Sequence, residues 1–527
     1  MSGASFEPSI EAAARHYRAR DLVRTEGCCR AILALQPRDF DALHLLGVVC
    51  VQSGRHAEAV GHLTQALAQR VDHAQLLFNL GNAHQGLDQH DEAIRAYRRA
   101  LALSPHDPGV LNNLGTSYRH AGRVDDAIHA FRTLLALHPN HAPAHNNLAA
   151  ALVQDDRLEE ALGHFQAALA MAPPDTPSDR LADVVNGLGK VLLDLGRPQE
   201  AVQVCRDLLS RYPALSSVEW NLSLALLLTG DYAEGWRTYE ARWLQPDHDK
   251  PHPDAQVLDL ATVTGQRVLV TAEQGRGDII QFARYAALLA NRGADVALSV
   301  YPDLVELMRS VRGVTTVVAT EDPDPPYDQR TSLLSLPFAF GTDLTTVPAA
   351  VPYLRPPPER RMLWRERFSE HDRPRVGVVW SGSEESRARS AMPVERLQPL
   401  LSQPDIDFHV LQKDIPDQDR ALLATYPRAL CHDQRLGDFA DTAALILEMD
   451  LVITIDTAVA HLAGALAVPV WIMLPFNPDW RWLIGREDTP WYPTARLFRQ
   501  TRRGAWDSVV QRVAEALAKT RFPLQTP

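Results

Sequence analysis

The sequence predicts an α + α/β chain, an amino-terminal α-solenoid followed by two doubly wound α/β lobes. Three observations predict it. Small residues recur every 34 positions through the first half, from Ala13 to Ala149. After Trp243 the pattern changes to short apolar strands alternating with amphipathic helices. Residues 450–474 then read strand, polar turn, alanine-rich helix, strand, the local unit of a parallel sheet.

In the first half the repeated small residues are Ala13, Gly47, Gly81, Gly115 and Ala149, and then Gly189 and Ser223. Twelve positions later come Ala59, Ala93, Ala127, Ala161, Ala201 and Gly235, and prolines close the units at Pro37, Pro105, Pro139, Pro173 and Pro213. This spacing resembles the tetratricopeptide repeat (TPR), a pair of antiparallel helices packed through those small positions. About seven units are expected over residues 1–245, with a loop of six extra residues in the stretch Pro173–Asp179. Stacked repeats of this kind form a concave face. Asn79, Asn113 and Asn147 stand two residues before small positions, as does Asn221. They resemble the asparagine ladder that lines peptide-holding TPR grooves, since an amide offers a backbone both donor and acceptor. The resemblance implies a protein or peptide partner, or self-association into a homo-oligomer.

Pro246, Pro251 and Pro253 mark a linker over residues 246–264. An amino lobe over 265–350 follows, with strands expected at Arg267–Thr271, Val296–Val300 and Val314–Ala319 and another before Ser335. A proline- and arginine-rich hinge spans 351–373, and the carboxyl lobe covers 374–527. There, Leu451–Ile455 is a β-branched strand stopped by Asp456 and Thr457, both favoured helix N-caps. The helix after them should run from Ala458 to Ala467 before a second strand at Val470–Leu474. Ligands bind at the carboxyl edge of open α/β sheets, and a helix N-terminus attracts phosphate. His461, four residues after Thr457, shares its helix face.

Two segments carry a wider resemblance. Glu273–Arg284 contains the Gly-x-Gly-Asp turn Gly275–Asp278, and Asp456–His461 forms an Asp-Thr-x-x-x-His pattern. Both resemble ADP-heptose-type glycosyltransferases of the GT-B architecture, two Rossmann-like lobes around a cleft. The segments Pro475–Trp482 and Pro490–Gln500 are similar to the tail of bacterial TPR-linked members of that superfamily. The resemblance implies metal-independent, inverting transfer from a nucleotide sugar, with no cofactor and no metal. Asp278 would be the base that deprotonates the acceptor. Asp456 would bind sugar hydroxyls, and Thr457, Ala458 and His461 the diphosphate. Ser381 and Arg389, with Arg387 as the alternative cation, would support the leaving group, and Gln412 and Lys413 would lie near the nucleobase. Arg276, where the family usually carries an apolar residue, would either reach a phosphate or the acceptor or mark an altered first site. The alternatives are a silent scaffold with a relic nucleotide-sugar site, or a transferase acting on a lipid-linked or surface glycan.

A net charge of −12 without a lysine/arginine-rich run argues against nucleic acid or anionic membrane as the main partner. Five cysteines form no Cys-x-x-Cys pair and suggest no disulfide framework. No leader-like start and no run long enough to span a bilayer is present, so a cytoplasmic chain is expected. Asp322-Pro-Asp324 has the spacing of a metal-binding Asp-x-Asp but sits in a proline-rich loop. Histidines such as His56, His62, His84 and His90 are expected to be solvated surface residues.

Overall fold

The computed structural model describes residues 9–522 except 174–175, 177, 214, 246–251, 253, 369–372 and 383–391. Among the described residues, fourteen α-helices from Ile10–Arg18 to Tyr232–Tyr239 precede the first strand. The chain divides into two compact units, Met1–Val191 and Leu192–Pro527, so the last helical hairpins belong to the second.

In the first unit the 34-residue period is explained by close helix approach. Each small residue faces a large one sixteen positions on. A Cβ placed on Gly47, Gly81 or Gly115 would lie 2.5 Å from Leu63, 2.4 Å from Tyr97 or 2.6 Å from Phe131 respectively. Asp39 and Asp107 cap their helices by accepting from Ala42 N at 2.8 Å and Val110 N at 3.0 Å, and Gly54 and Gly122 turn the chain at φ of 72° and 74°. Gly115→Ala is therefore a test of packing against propensity. Alanine gains about 1 kcal/mol of helix propensity, whereas overpacking a fully buried phenylalanine costs about 1–3 kcal/mol. A net loss of about 1 kcal/mol is expected in thermal or urea unfolding of the full chain, with recovery in Gly115→Ala/Phe131→Leu.

His56, His62, His84 and His90 are part-buried rather than solvated. His90 stacks on His120 with ring centroids 5.0 Å apart, and His145 bonds His164 at 2.8 Å. Both ring nitrogens of His62 are buried without a hydrogen-bond partner. Cys50, Glu58 and His62 bring potential metal-ligand atoms within 4.8 Å of one another, but Glu58 is already engaged by Arg30 and Arg55.

The second unit opens with helices Pro198–Arg211, Ser216–Thr229 and Tyr232–Tyr239 and the 3-10 turn Glu240–Leu244. A parallel four-stranded sheet follows, in the order β3-β2-β1-β4. Its strands are β1 Arg267–Thr271, β2 Asp295–Val300, β3 Val314–Ala319 and β4 Gln329–Ser332. A second parallel sheet has the order β10-β9-β8-β5-β6-β7. It comprises β5 Arg375–Val379, β6 Asp407–Val410, β7 Ala429–Cys431, β8 Leu451–Ile455, β9 Val470–Leu474 and β10 Ala495–Arg499. The expected hinge contains a helix, Pro358–Arg367, because Trp364 has an apolar seat beside Phe368 and Arg360 reaches Asp441 at 2.8 Å.

Tyr232, Trp236 and Tyr239, on the last helix before β1, pack into the α/β region rather than standing apart from it. Trp236 meets Trp480 edge-on at 5.1 Å and Phe282 at 5.9 Å, and the Trp491 indole N–H donates to the Tyr232 hydroxyl at 3.2 Å. Arg242, fully buried, donates to Glu273 at 2.7 and 3.0 Å, to Glu240 at 2.6 Å and to Ser335 at 2.7 Å.

Between β6 and β7, His409 and His432 are stacked and bonded at 3.0 Å. Burial lowers the His432 pKa to about 4, with Arg435 and Arg367 adding to the shift. An unfolded histidine titrates near 6.5, so between about pH 6.5 and 4 the unfolded chain binds the extra proton. Stability therefore falls on acidification through that window. A loss of about 2 kcal/mol is expected between pH 7 and 5 in urea unfolding, and His432→Phe should flatten the slope.

Candidate functional site

The carboxyl ends of β1 and β8 bring together the two motifs singled out in the sequence. After β1 the chain enters helix Arg276–Phe282, with Gly275 as N-cap and Asp278 in its first turn. The Asp278 carboxylate accepts the Gly275 N–H at 2.8 Å and pairs with Arg481. After β8, Thr457 occupies the N-cap position of helix Ala458–Ala465 without a side-chain capping bond. Its hydroxyl bonds Thr454 at 3.0 Å instead. Asp456 stands one residue before it, and Ala458, the first residue of the helix, is half-buried.

Gly277 explains the close approach of the two turns. A Cβ there would lie 2.9 Å from His461 Cδ2 and 3.5 Å from Ala458 Cα. The small residue thus admits the opposite helix. His461 is 4% exposed. Its Nδ1 bonds the Tyr492 hydroxyl at 3.0 Å and its ring stacks on Trp482. Burial keeps its pKa well below the usual histidine value, with Arg481 and Arg284 acting in the same direction.

Arg481 is the residue that sequence reasoning missed. It lies in the motif Pro475–Trp482, but nothing in that segment reveals a partner 203 positions away. Its guanidinium donates to Gln281 at 2.9 Å and to Asp479 at 2.8 Å, pairs with Asp278, and lies 4.1 Å over the Trp480 ring. Burial raises the Asp278 pKa against the pull of Arg481. Burial likewise pushes Asp456 up to about 7, and neighbouring Asp479 reinforces it. Asp278 and Asp479 pair with one guanidinium, and Asp456 lies within its electrostatic reach. This environment favours accepting a proton and facing a centre of developing positive charge. It does not by itself supply cations for a diphosphate.

The remaining residues lie around this centre. Gln412 is buried, and its amide accepts Ser381 N at 3.1 Å and donates to Asp414 O at 3.0 Å, so it shapes the start of the loop after β5. Ser381, two residues beyond β5, is buried. Lys413 is exposed and its Nζ donates to Gly437 O at 2.8 Å. Arg387 and Arg389 lie outside the described residues. Arg276 is half-exposed, bonded to Asp303 at 2.9 Å and lying over Tyr301. Asp324 pairs with Arg330, and Asp322 accepts Ala319 N at 3.2 Å.

In the first unit, the ladder asparagines are engaged by polar side chains of the preceding repeat. Asn79 Nδ2 meets His44 Nε2 at 3.0 Å, Asn113 donates to Asn82 at 2.9 Å and Asn147 donates to Asn112 at 3.0 Å. Asn79, Asn82, His44 and Phe78 line a cavity of about 620 Å³.

The tetratricopeptide repeat family matches residues 38–106, 72–140, 112–176 and 186–251. The chain is 28% identical over 359 residues to Protein FlbA of Caulobacter vibrioides. That alignment covers 62% of this chain and 59% of FlbA, so the chain spans about three fifths of this relative. Among solved structures, it is similar to MamA of Desulfovibrio magneticus, at 18% identity and a TM-score of 0.30, over 32% of this chain and 94% of that one. It is also similar to YrrB, described as a TPR protein with an unusual peptide-binding site, at 24% identity and a TM-score of 0.29, over 32% of this chain and 86% of that one. Residues 38–251 thus carry tetratricopeptide repeats, followed by a region of parallel sheets and helices, and among the described residues no helix is long and apolar enough to cross a membrane.

Proposed function

We propose that the second unit is a glycosyltransferase of the GT-B kind, acting from a nucleotide-sugar donor without metal, and that the repeat array binds a protein, plausibly the acceptor. One observation carries this reading. Asp278 and Asp456 follow strands of two separate parallel sheets; Asp278 and Asp479 pair with Arg481, and Asp456 feels the charge of all three. Inverting transfer needs one carboxylate to take the acceptor proton while positive charge develops on the sugar carbon, and a carboxylate-rich centre suits both demands. Asp278 is the base in this reading and Asp456 the sugar-facing carboxylate, with the diphosphate held by the loop that begins at Ser381. The array supplies protein recognition, in keeping with a cavity that presents amides beside an apolar wall. The cytoplasm is the compartment where nucleotide sugars are at hand.

The buried His461 and the salt-bridged Asp278 favour a second reading, a scaffold whose sugar-nucleotide site is silent. A thermal-shift screen of nucleoside diphosphates and their sugars, followed by transfer assays in cell extract, separates the two. A donor that raises the melting temperature and is consumed supports the enzyme. Binding without consumption in the presence of acceptor extract supports the scaffold. Under the enzyme reading, the pH profile of turnover should show an ionisation near pH 7 that disappears in Asp456→Asn.

A further inference from the structure

A second cavity, of about 680 Å³, lies away from the Asp278–Arg481 centre, between the edge strand β10 and the helix Trp506–Lys519. Five cations line it against two carboxylates, in a chain whose net charge is −12. Arg486 is paired with Asp488 at 2.6 and 2.7 Å, but the other four cations are poorly compensated within the protein. Arg499 is half-buried, and its three hydrogen bonds go to the backbone carbonyls of Arg486, Leu483 and Trp482. Burial lowers its pKa to about 10. Arg512 likewise bonds only carbonyl oxygens, those of Arg499 and Ser508, and Lys519 is exposed with no bonded partner among the described residues. Arg496 makes one long contact, 3.5 Å, with an exposed Glu487. Of the two acids, Glu515 accepts from Gln511 at 3.0 Å, so its charge is not spent on these arginines.

Arg499 and Arg512, guanidinium groups without carboxylate partners, converge with Lys519 on this concave surface and match the fork geometry of phosphate oxygens. Leu497, Phe498 and Ala516 add an apolar wall. We propose that this cavity binds a phosphate or diphosphate group, carried either by a soluble ester or by a lipid headgroup. It is a site separate from the cleft, although Arg499 pins the same turn, Trp482–Arg486, that follows Arg481.

The test measures inorganic pyrophosphate binding to the full chain by calorimetry at low ionic strength, alongside flotation with phosphatidylcholine vesicles with and without phosphatidic acid. Arg512 and Lys519 are exposed, so Arg512→Gln/Lys519→Gln should fold normally. The double variant is expected to weaken binding by about tenfold or more, as the loss of charge-assisted hydrogen bonds implies. Pyrophosphate binding that the variant weakens supports a soluble ligand. Flotation only with phosphatidic acid, lost in the variant, supports the headgroup. Binding to neither probe, or binding unchanged in the double variant, overturns the proposal.

Discussion

Arg242→Ala is expected to lower the unfolding free energy of the chain's second unit by about 3–5 kcal/mol, the loss found when one partner of a buried ion pair is removed. The side chain is fully buried and satisfies two carboxylates, Glu240 and Glu273, together with Ser335 and the Tyr239 carbonyl. Without it, Glu273 sits buried at the end of β1 with Ser332 as its remaining described partner. Arg242→Met keeps the packing volume but not the charge and should be nearly as damaging. Adding Glu273→Gln to Arg242→Met should recover part of the loss, because the orphaned charge goes with it. The measurement is urea unfolding followed by tryptophan emission. Additive losses in the double variant would show that Arg242 and Glu273 are not energetically coupled.

The second large effect concerns chemistry. If the second unit transfers sugar, Asp278→Asn should reduce turnover by about a hundred- to ten-thousandfold, the range for removal of a general base. The asparagine can still accept the Gly275 N–H, and Arg481 keeps Asp479 and Gln281. The variant should therefore remain folded, with a stability loss of about 1–2 kcal/mol from the broken pair. Unchanged donor affinity combined with lost turnover assigns Asp278 to the reaction. Unchanged turnover would remove it as base and shift attention to Asp456, whose carboxyl is raised toward neutrality.

The sequence discloses features that local geometry enforces. Gly47, Gly81 and Gly115 are legible because close helix packing demands a missing side chain at a fixed spacing, and the spacing survives in the letters. Strands β1, β2, β8 and β9 are legible because buried parallel strands require apolar runs, and the edge strand β3 because it is rich in β-branched residues. Less is legible where long-range partners decide. The Asp278–Arg481 pair spans 203 positions and leaves no periodic trace. Thr457 looks like a capping residue, yet its hydroxyl bonds Thr454, a neighbour whose strand register sequence alone does not reveal. His461 shares a helix face with Thr457, but that face meets Tyr492 and Trp482. Strand β7 escapes because three residues carry too little pattern to separate strand from loop, and β10 because arginines interrupt its apolar run, Ala-Arg-Leu-Phe-Arg. His90, His120, His145 and His164 look solvent-facing in isolation and become seam residues only when successive helices stack.

The aromatic cluster around Trp236 gives the second unit a built-in optical reporter. Trp236, Trp480 and Trp491 lie with ring centroids between 5.1 and 6.5 Å of one another or of the rings that link them, and Trp480 also carries the Arg481 guanidinium over its face. At such separations excitation absorbed by one indole migrates among its neighbours, so emission from this cluster responds to any shift of Arg481. A ligand that draws Arg481 away from Asp278 should therefore change tryptophan intensity without a label, and a titration can follow it directly.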